Sequence, residues 1–278
     1  MRYIEIRCRV QPLEEGTEIL TAFLGDIGCE SFMDWEEGLL AYIPENDFSE
    51  ERLKNIRLPE ESGIRWDYTV SRMEEKDWNA EWERSYEPVL IDGRCRIRAP
   101  FHPPSADAEY DVLIEPKMSF GTAHHETTAQ MVSYLLEEPC AGKAVLDMGA
   151  GTGVLAILAH LRGAAQVTAI DIDEWAFRNM QENARLNGAE SIRCLMGDAG
   201  AIPDERYEII LANINRNVLL EDIPVYTAHL RPGSVLFLSG FYEGDDLEMI
   251  RERAEQAGLH HTSHRQRNRW VAARFVMP

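Results

Sequence analysis

Residues 145–156, Val-Leu-Asp-Met-Gly-Ala-Gly-Thr-Gly-Val-Leu-Ala, carry the densest chemistry in the chain. An apolar run enters a turn with glycine at 149, 151 and 153, and an apolar helical run leaves it. Glycine at such positions permits positive φ and lets a ligand approach the backbone closely. Strand, glycine turn and helix in this order mark the carboxyl edge of a parallel sheet, where such sheets bind ligands. The spacing then selects among ligands. A dinucleotide pyrophosphate calls for G-x-G-x-x-G, but residue 154 is Val, and no G-x-x-x-x-G-K-[ST] phosphate cradle is present. Asp171 closes the next apolar run, 22 residues after Gly149. A carboxylate at that distance is placed to accept hydrogen bonds from both hydroxyls of a ribose. Asp173 reads as the cap of a helix from Glu174. Asn213 closes a further strand in Leu211-Ala212-Asn213-Ile214-Asn215-Arg216-Asn217, and Asp198 lies just beyond the strand at 192–196. A fourth stretch, Glu115 to Thr128, holds Phe120-Gly121-Thr122, two adjacent histidines and a helix start at Thr127 or Thr128. Adjacent histidines point apart and have no nearby cysteine, so no metal site is expected.

The elements that must position these residues follow from periodicity. From Lys143 onward, strands at 144–148, 167–172, 192–196, 209–214 and 235–240 alternate with helical segments. This predicts an α/β fold with a doubly wound, mostly parallel sheet. Two final strand-like pieces, 260–265 and 269–277, predict an antiparallel hairpin at the sheet edge. Before all this, Ile4, Ile6, Cys8 and Val10 alternate, and Ile19, Leu20, Phe23, Leu24 and Ile27 have helical spacing. Two short strands, a short helix near 49–56 and the alternating Ile64, Trp66, Tyr68 and Val70 follow. That β-α-β-β-α-β order predicts a small ferredoxin-like α+β domain. A polar segment at 74–88 carries Trp78 and Trp82 on one helix face and links the two parts. The expected organisation is a domain at 1–73, a linker helix at 74–88 and a larger domain at 89–278.

The 278 residues carry 28 basic and 48 acidic side chains, a formal charge of −20. An acidic chain lacks the basic footprint of a duplex nucleic-acid binder and suits a basic partner. No apolar run of membrane-spanning length occurs, and the amino terminus has no signal-peptide pattern. Five scattered cysteines without a CxxC pair argue against a disulfide framework and fit a reducing cytoplasm.

Asp147-x-Gly149-x-Gly151-x-Gly153 resembles the cofactor loop of S-adenosylmethionine-dependent methyltransferases. The ferredoxin-like start and the Lys76-Asp77-Trp78 to Glu81-Trp82-Glu83 segment extend the likeness. So do Phe120-Gly121-Thr122 to Thr127-Thr128, Asp171 and Asn213. Together they resemble the bacterial methyltransferases of large-subunit ribosomal protein eleven, the PrmA family, over nearly the whole chain. The resemblance implies S-adenosyl-L-methionine as cofactor. It places Thr128, Gly149, Asp171 and Asn213 at that cofactor, with Gly151, Phe120 and Asp198 as further candidates. It implies a seven-stranded methyltransferase sheet and an amino-terminal domain that recognises a basic ribosomal protein, free or on the ribosome surface. The linker then repositions that substrate. The acceptors implied are lysine side-chain and α-amino nitrogens. Two departures stand out: Ala123 replaces a usual glycine, and Ile214-Asn215-Arg216 replaces the usual Ile-Leu-Ala.

Transfer from a sulfonium to an amine is a direct displacement, so placement is most of the protein's task. The amine must be neutral, and a carboxylate beside it would hold it protonated. Asn213 is therefore the expected catalytic residue, accepting a hydrogen bond from the amine. Phe120 is expected to shape an apolar wall and His124 to relay a proton. The competing assignments are a methyltransferase acting on another protein, RNA or a small amine, a nicotinamide oxidoreductase, and a non-catalytic assembly factor.

Overall fold

The structure is a computed structural model that describes residues 3–59, 63–72, 87–104, 108–116 and 124–278. Contacts divide the chain into two units, Met1–Ser85 and Tyr86–Pro278. The expected linker helix lies, from 74 to 86, outside the described residues, as does the stretch 117–123.

In the first unit β1 (Tyr3–Gln11), α1 (Leu13–Asp26), β2 (Ser31–Trp35), β3 (Gly38–Pro44), α2 (Glu50–Lys54) and β4 (Arg65–Arg72) follow in order. The antiparallel sheet is ordered β2-β3-β1-β4, the ferredoxin-like arrangement. Its logic is the alternation of β1. Ile4, Ile6, Cys8 and Val10 all point inward, onto Leu20 and Leu24 of α1 and Leu53 of α2. Burial pushes the Cys8 thiol up to about 12, so it stays a protonated hydrophobe.

The second unit opens with a small sheet the sequence did not announce: β5 (Val89–Ile91), β6 (Cys95–Arg98) and β7 (Tyr110–Leu113), in that order. Arg98, nearly buried, fixes it by an ion pair to Asp111 at 2.8 Å. Then come α3 (Glu126–Glu137), β8 (Ala144–Met148), α4 (Val154–Leu161), β9 (Gln166–Asp171), α5 (Glu174–Leu186) and β10 (Arg193–Met196). They are followed by β11 (Tyr207–Asn213), α6 (Arg216–Ala228), β12 (Leu230–Tyr242), α7 (Asp245–Gln256), β13 (His260–Arg267) and β14 (Trp270–Val276).

The seven strands run β10-β9-β8-β11-β12-β14-β13, parallel except for β14, which pairs antiparallel with both neighbours. The expected edge hairpin thus exists, with its second strand inserted next to β12. Its turn is Asn268-Arg269, both at positive φ (49° and 68°), as a two-residue hairpin with right-handed strands demands.

Side-chain parity builds the two cores. Val145, Ile209, Leu211, Val235 and Phe237 face α3, α4 and α5. Leu146, Met148, Ile210, Ala212, Leu236 and Leu238 face α6 and α7. Period-two alternation places Asp147, Asp171 and Asn213 on the first face. β11 lies between β8 and β12, with Leu211 opposite Asp147 and Asn213 opposite Ser239. Phe237 sits centrally, fully buried, its ring 5.1 Å from that of Tyr134 on α3. Phe237→Ala is expected to destabilise this unit by about 3–5 kcal/mol, read as a lower urea midpoint with an unchanged slope.

Candidate active site

The turn after β8 is built from left-handed glycines: Gly149, Gly151 and Gly153 have φ of 63°, 56° and 79°. Gly149 has no room for a side chain, because a methyl group there would overlap Cγ2 of Ile214. Three of the turn's backbone donors are taken. Gly151 N donates to Asp171 Oδ2 at 2.8 Å, Ala150 N to Ile170 O at 3.0 Å, and Gly153 N to Ala150 O at 2.8 Å. Ala156 N, in the first turn of α4, donates to Asp147 Oδ2 at 3.1 Å.

Two carboxylates therefore hold the loop. A phosphate would find these donors occupied and anions beside them, which explains physically why the loop is not a pyrophosphate cradle. A cationic ligand meets the opposite field. Asp147 is buried beneath α4. Burial pushes its carboxyl up to about 7, against the hydrogen bond from Ala156, with a smaller push from the charge of Asp171. Asp171 is half-buried, and its Oδ1 accepts from Asp173 N at 3.0 Å. Each Asp171 oxygen keeps a second lone pair for a hydroxyl donor.

Asn213 ends β11, half-buried. Its Nδ2 donates to Oγ1 of the buried Thr128 at 3.2 Å, while its Oδ1 is buried with no partner among the described residues. Thr128 reaches it from the first turn of α3, which is capped by His125 rather than started by Thr127 or Thr128. The His125 ring accepts from Thr127 N at 3.3 Å and contacts Thr127 Oγ1 at 2.8 Å. Asp173 caps α5 as expected, accepting from Ala176 N at 2.8 Å. Asp198 is exposed and caps the short turn Ala199–Ala201 through Gly200 N at 2.9 Å.

Of the anticipated residues, Thr128 and Asn213 meet directly, as do Gly151 and Asp171. Gly149 joins Asn213 through Ile214, and Asp198 follows β10, the strand beside β9. Phe120 and Ala123 lie outside the described residues. His124 bonds through Nε2 to the Glu87 carbonyl at 3.0 Å. It lines a cavity of about 670 Å³ with Gln130, Ser133 and Arg265, a lining that does not include Thr128. Among the described residues no group of three His, Cys, Asp or Glu is arranged to hold a metal, and no helix is long and apolar enough to cross a membrane.

Further residues of the site escaped the sequence reading. Asn179, Asn183 and Asn187 repeat every four residues on α5, a polar stripe on a buried face that could have been noticed. Asn183 Nδ2 donates to Thr152 O in the glycine turn at 2.9 Å, and its Oδ1 accepts from Glu115 N at 2.8 Å. Asn187 pairs with both backbone groups of Leu113, and Asn179 donates to Glu115 O at 3.3 Å. The stripe thus ties the segment leading out of β7 to the glycine turn. Trp270, its ring 4.1 Å from a tilted Tyr242 ring and 4.8 Å from the His125 ring that meets it edge-on, flanks the start of α3.

This strand order, with one antiparallel strand and a glycine turn after the central β8, is the fold of the S-adenosylmethionine-dependent methyltransferases. The solved methyltransferase from Pyrococcus furiosus shares that fold, with a TM-score of 0.50 at 18% identity over 59% of this chain and 87% of its own. The family model described as Ribosomal protein L11 methyltransferase (PrmA) matches residues 13–277. Relatives named ribosomal protein L11 methyltransferase from Phocaeicola vulgatus and Bacteroides fragilis are 45% and 46% identical, each covering 100% of both chains. The solved ribosomal protein L11 methylase of Lactobacillus delbrueckii subsp. bulgaricus superposes with a TM-score of 0.63 at 27% identity, over 69% of this chain and 99% of its own. The chain belongs to the PrmA family, and its cofactor is S-adenosyl-L-methionine. The site fits that group: a turn with no room for a side chain at Gly149, the Asp171 carboxylate beside it for a cation, and a buried acceptor at Asn213.

The raised Asp147 pKa makes a stability prediction. The folded chain binds this proton more tightly than the unfolded chain, so the penalty appears as pH rises from about 4 and is complete above about 7. At pH 8 it amounts to on the order of 4 kcal/mol. Asp147→Asn is expected to raise the cofactor-free melting temperature at pH 8, with the gain vanishing near pH 4. Thermal melts across that window check it.

Proposed function

We propose that this chain transfers methyl groups from S-adenosyl-L-methionine to lysine side-chain and α-amino nitrogens of ribosomal protein L11, with Asn213 as catalytic residue. The observation that carries the amine assignment is the buried, unpartnered Oδ1 of Asn213. An unpaired buried acceptor costs about 1–3 kcal/mol unless a ligand supplies the donor, and an incoming amine N–H is such a donor. Thr128 fixes the amide so that its nitrogen faces Thr128 and its oxygen stays available. The names of the full-length relatives support the choice of acceptor protein.

The bound cofactor supplies an already activated methyl carbon. The chain's residues do the placing. The left-handed turn at Gly149 and Gly151 receives the donor, Asp147 anchors the start of α4 behind it, Asp171 supplies the negative charge a sulfonium favours, and Asp171 and Asp198 serve the nucleoside. Phe120 adds an apolar wall. Asn213 accepts the N–H of the neutral amine and aims its lone pair. An amide suits this task because a carboxylate there would stabilise the ammonium and remove the nucleophile. At pH 7 deprotonating a lysine of pKa ~10.4 costs roughly 4–5 kcal/mol, so neutral surroundings matter.

Asn213→Ala is expected to lower kcat by about 10²–10⁴-fold while cofactor affinity changes less. Asn213→Asp is expected to move the rising limb of the pH–rate profile to higher pH, because the new charge raises the amine's pKa. Turnover on purified L11, with mass spectrometry of the acceptor, reads both. Normal turnover by Asn213→Ala overturns the assignment.

The acidic first domain and the −20 chain suit a lysine-rich substrate, either free or on the ribosome surface. Raising salt from about 0.05 to 0.3 M is expected to raise KM for L11 about two- to fivefold and to leave kcat nearly constant. A salt-independent KM removes electrostatic steering from this account.

A further inference from the structure

Ile214 follows Asn213 and precedes Asn215, which caps α6 by accepting from Val218 N at 3.2 Å. Its own place is unusual. Its N–H donates to Ser239 O at 3.1 Å, carrying the β11–β12 ladder one residue past Asn213. Its carbonyl lies against Gly240, which has φ 101° and stands where the pairing of β12 with β14 slips between Ser239 and Phe241. A side chain at 240 would overlap the carbonyl carbon and oxygen of Ile214. On the other flank Cγ2 of Ile214 rests on Gly149, where a side chain would overlap it as well.

Ile214 thus occupies a slot walled by two glycines, one from the turn after β8 and one from the slip in β12. These are the two strands beside β11. We infer that Ile214 is a positioning residue for methyl transfer, seated between Gly149 and Gly240 so that the Asn213 acceptor is held at a fixed distance from the turn that receives the donor. The inference rests on the amine-acceptor reading of Asn213. Such a spacer has a physical motive, since a displacement of about 1 Å between reacting groups costs on the order of 10²-fold in rate. Glycine is demanded on both walls by overlap and by backbone conformation. At positive φ a side chain is strained as well. A β-branched residue fits the middle, because its χ1 is stiff and its methyl stays where it is put.

The two walls differ in a way that can be tested. The contact with Gly149 is made by a side chain, so trimming Ile214 removes it. The contact with Gly240 is made by backbone, so no replacement of the Ile214 side chain relieves it.

The experiment uses the full chain. Circular dichroism and melting temperature confirm folding, calorimetry gives the S-adenosyl-L-methionine Kd, and kcat and KM are measured on purified L11. Ile214→Ala is expected to lower kcat at least about tenfold, with a smaller change in KM for L11. Ile214→Val keeps Cγ2 and is expected to recover most of that loss. Gly149→Ala is expected to weaken cofactor binding at least about tenfold, and adding Ile214→Ala to restore at least about threefold of it. The strain of alanine at positive φ is common to both arms and cancels. Gly240→Ala is expected to lose kcat at least about tenfold with no rescue by Ile214→Ala.

A folded Ile214→Ala with unchanged kcat overturns the inference. So does an additive Gly149→Ala/Ile214→Ala cycle, or a Gly240→Ala defect that Ile214→Ala repairs. Should the parent chain methylate no amine, the reading of Asn213 fails instead, while the cofactor-binding cycle still decides whether the slot exists.

Discussion

Two carboxylates clamp the glycine turn after β8, one on an amide of the turn and one on an amide of the helix that leaves it, and much of the site follows from that. Gly151 N is fixed by Asp171 and Ala156 N by Asp147. These bonds set the turn's shape before any ligand arrives. They also invert the usual electrostatics of a strand–turn–helix junction. Free amides at a helix start attract phosphate, but amides already bonded to carboxyl groups have no donor left to offer one. The fold keeps the place where doubly wound sheets bind nucleotides and changes the charge of what it accepts. The cost is visible at Asp147, whose carboxyl is so deeply buried that its titration moves to about 7. A stable fold carries such a residue only if the surrounding packing outweighs it, and Val145, Leu155 and Ile157 supply that packing.

Parity along the strands does the rest of the assembly. Every second residue of β8, β9 and β11 faces the α3–α5 layer, so Asp147, Asp171 and Asn213 share one side without any special loop. Each then finds a partner from that layer or from the turn: Ala156 in α4, Gly151, and Thr128 in α3. A register slip of one residue in β11 would send Asn213 to the opposite face. The ladder with β12 guards against this, running from Ile209 opposite Val235 to Asn213 opposite Ser239 and one bond further at Ile214.

The sequence made the main sheet legible because parallel strands buried on both faces are continuous apolar runs, and their helices are capped by ordinary signals such as Asp173. The glycine turn, Asp171 and Asn213 were legible because strand ends with polar residues interrupt those runs. Other features left weaker traces. Strands β5, β6 and β7 have three or four residues each, too short for a period to show. The cap of α3 is a histidine ring, outside the set of short oxygen-bearing side chains that announce a helix start. Ile214 reads as core, since nothing in an isoleucine discloses that its two neighbours in space are glycines. Asp147 is a letter of the motif, but its burial depends on α4 folding over it. The asparagine stripe of α5 was present at a spacing of four and marks the face that binds the segment after β7.

The two reactants of a methyl transfer to nitrogen make opposite demands, and the sheet order separates them. A sulfonium carries a permanent positive charge and is favoured by anions. An amine reacts only when neutral and is disabled by them. In this chain the carboxylates stand at β8 and β9, while β11 ends in an amide bonded to a hydroxyl. Adjacent strands lie about 4.8 Å apart, so the charged and neutral halves of the site are neighbours without overlapping. On the proposed reading, Asn213 on β11, next to β8 but on the side away from β9, leaves the amine an uncharged partner apart from the negative field that the donor favours. Ile214, wedged against Gly149, is where the two halves touch. The boundary between them is therefore a contact between an apolar side chain and bare backbone, which transmits position and no charge.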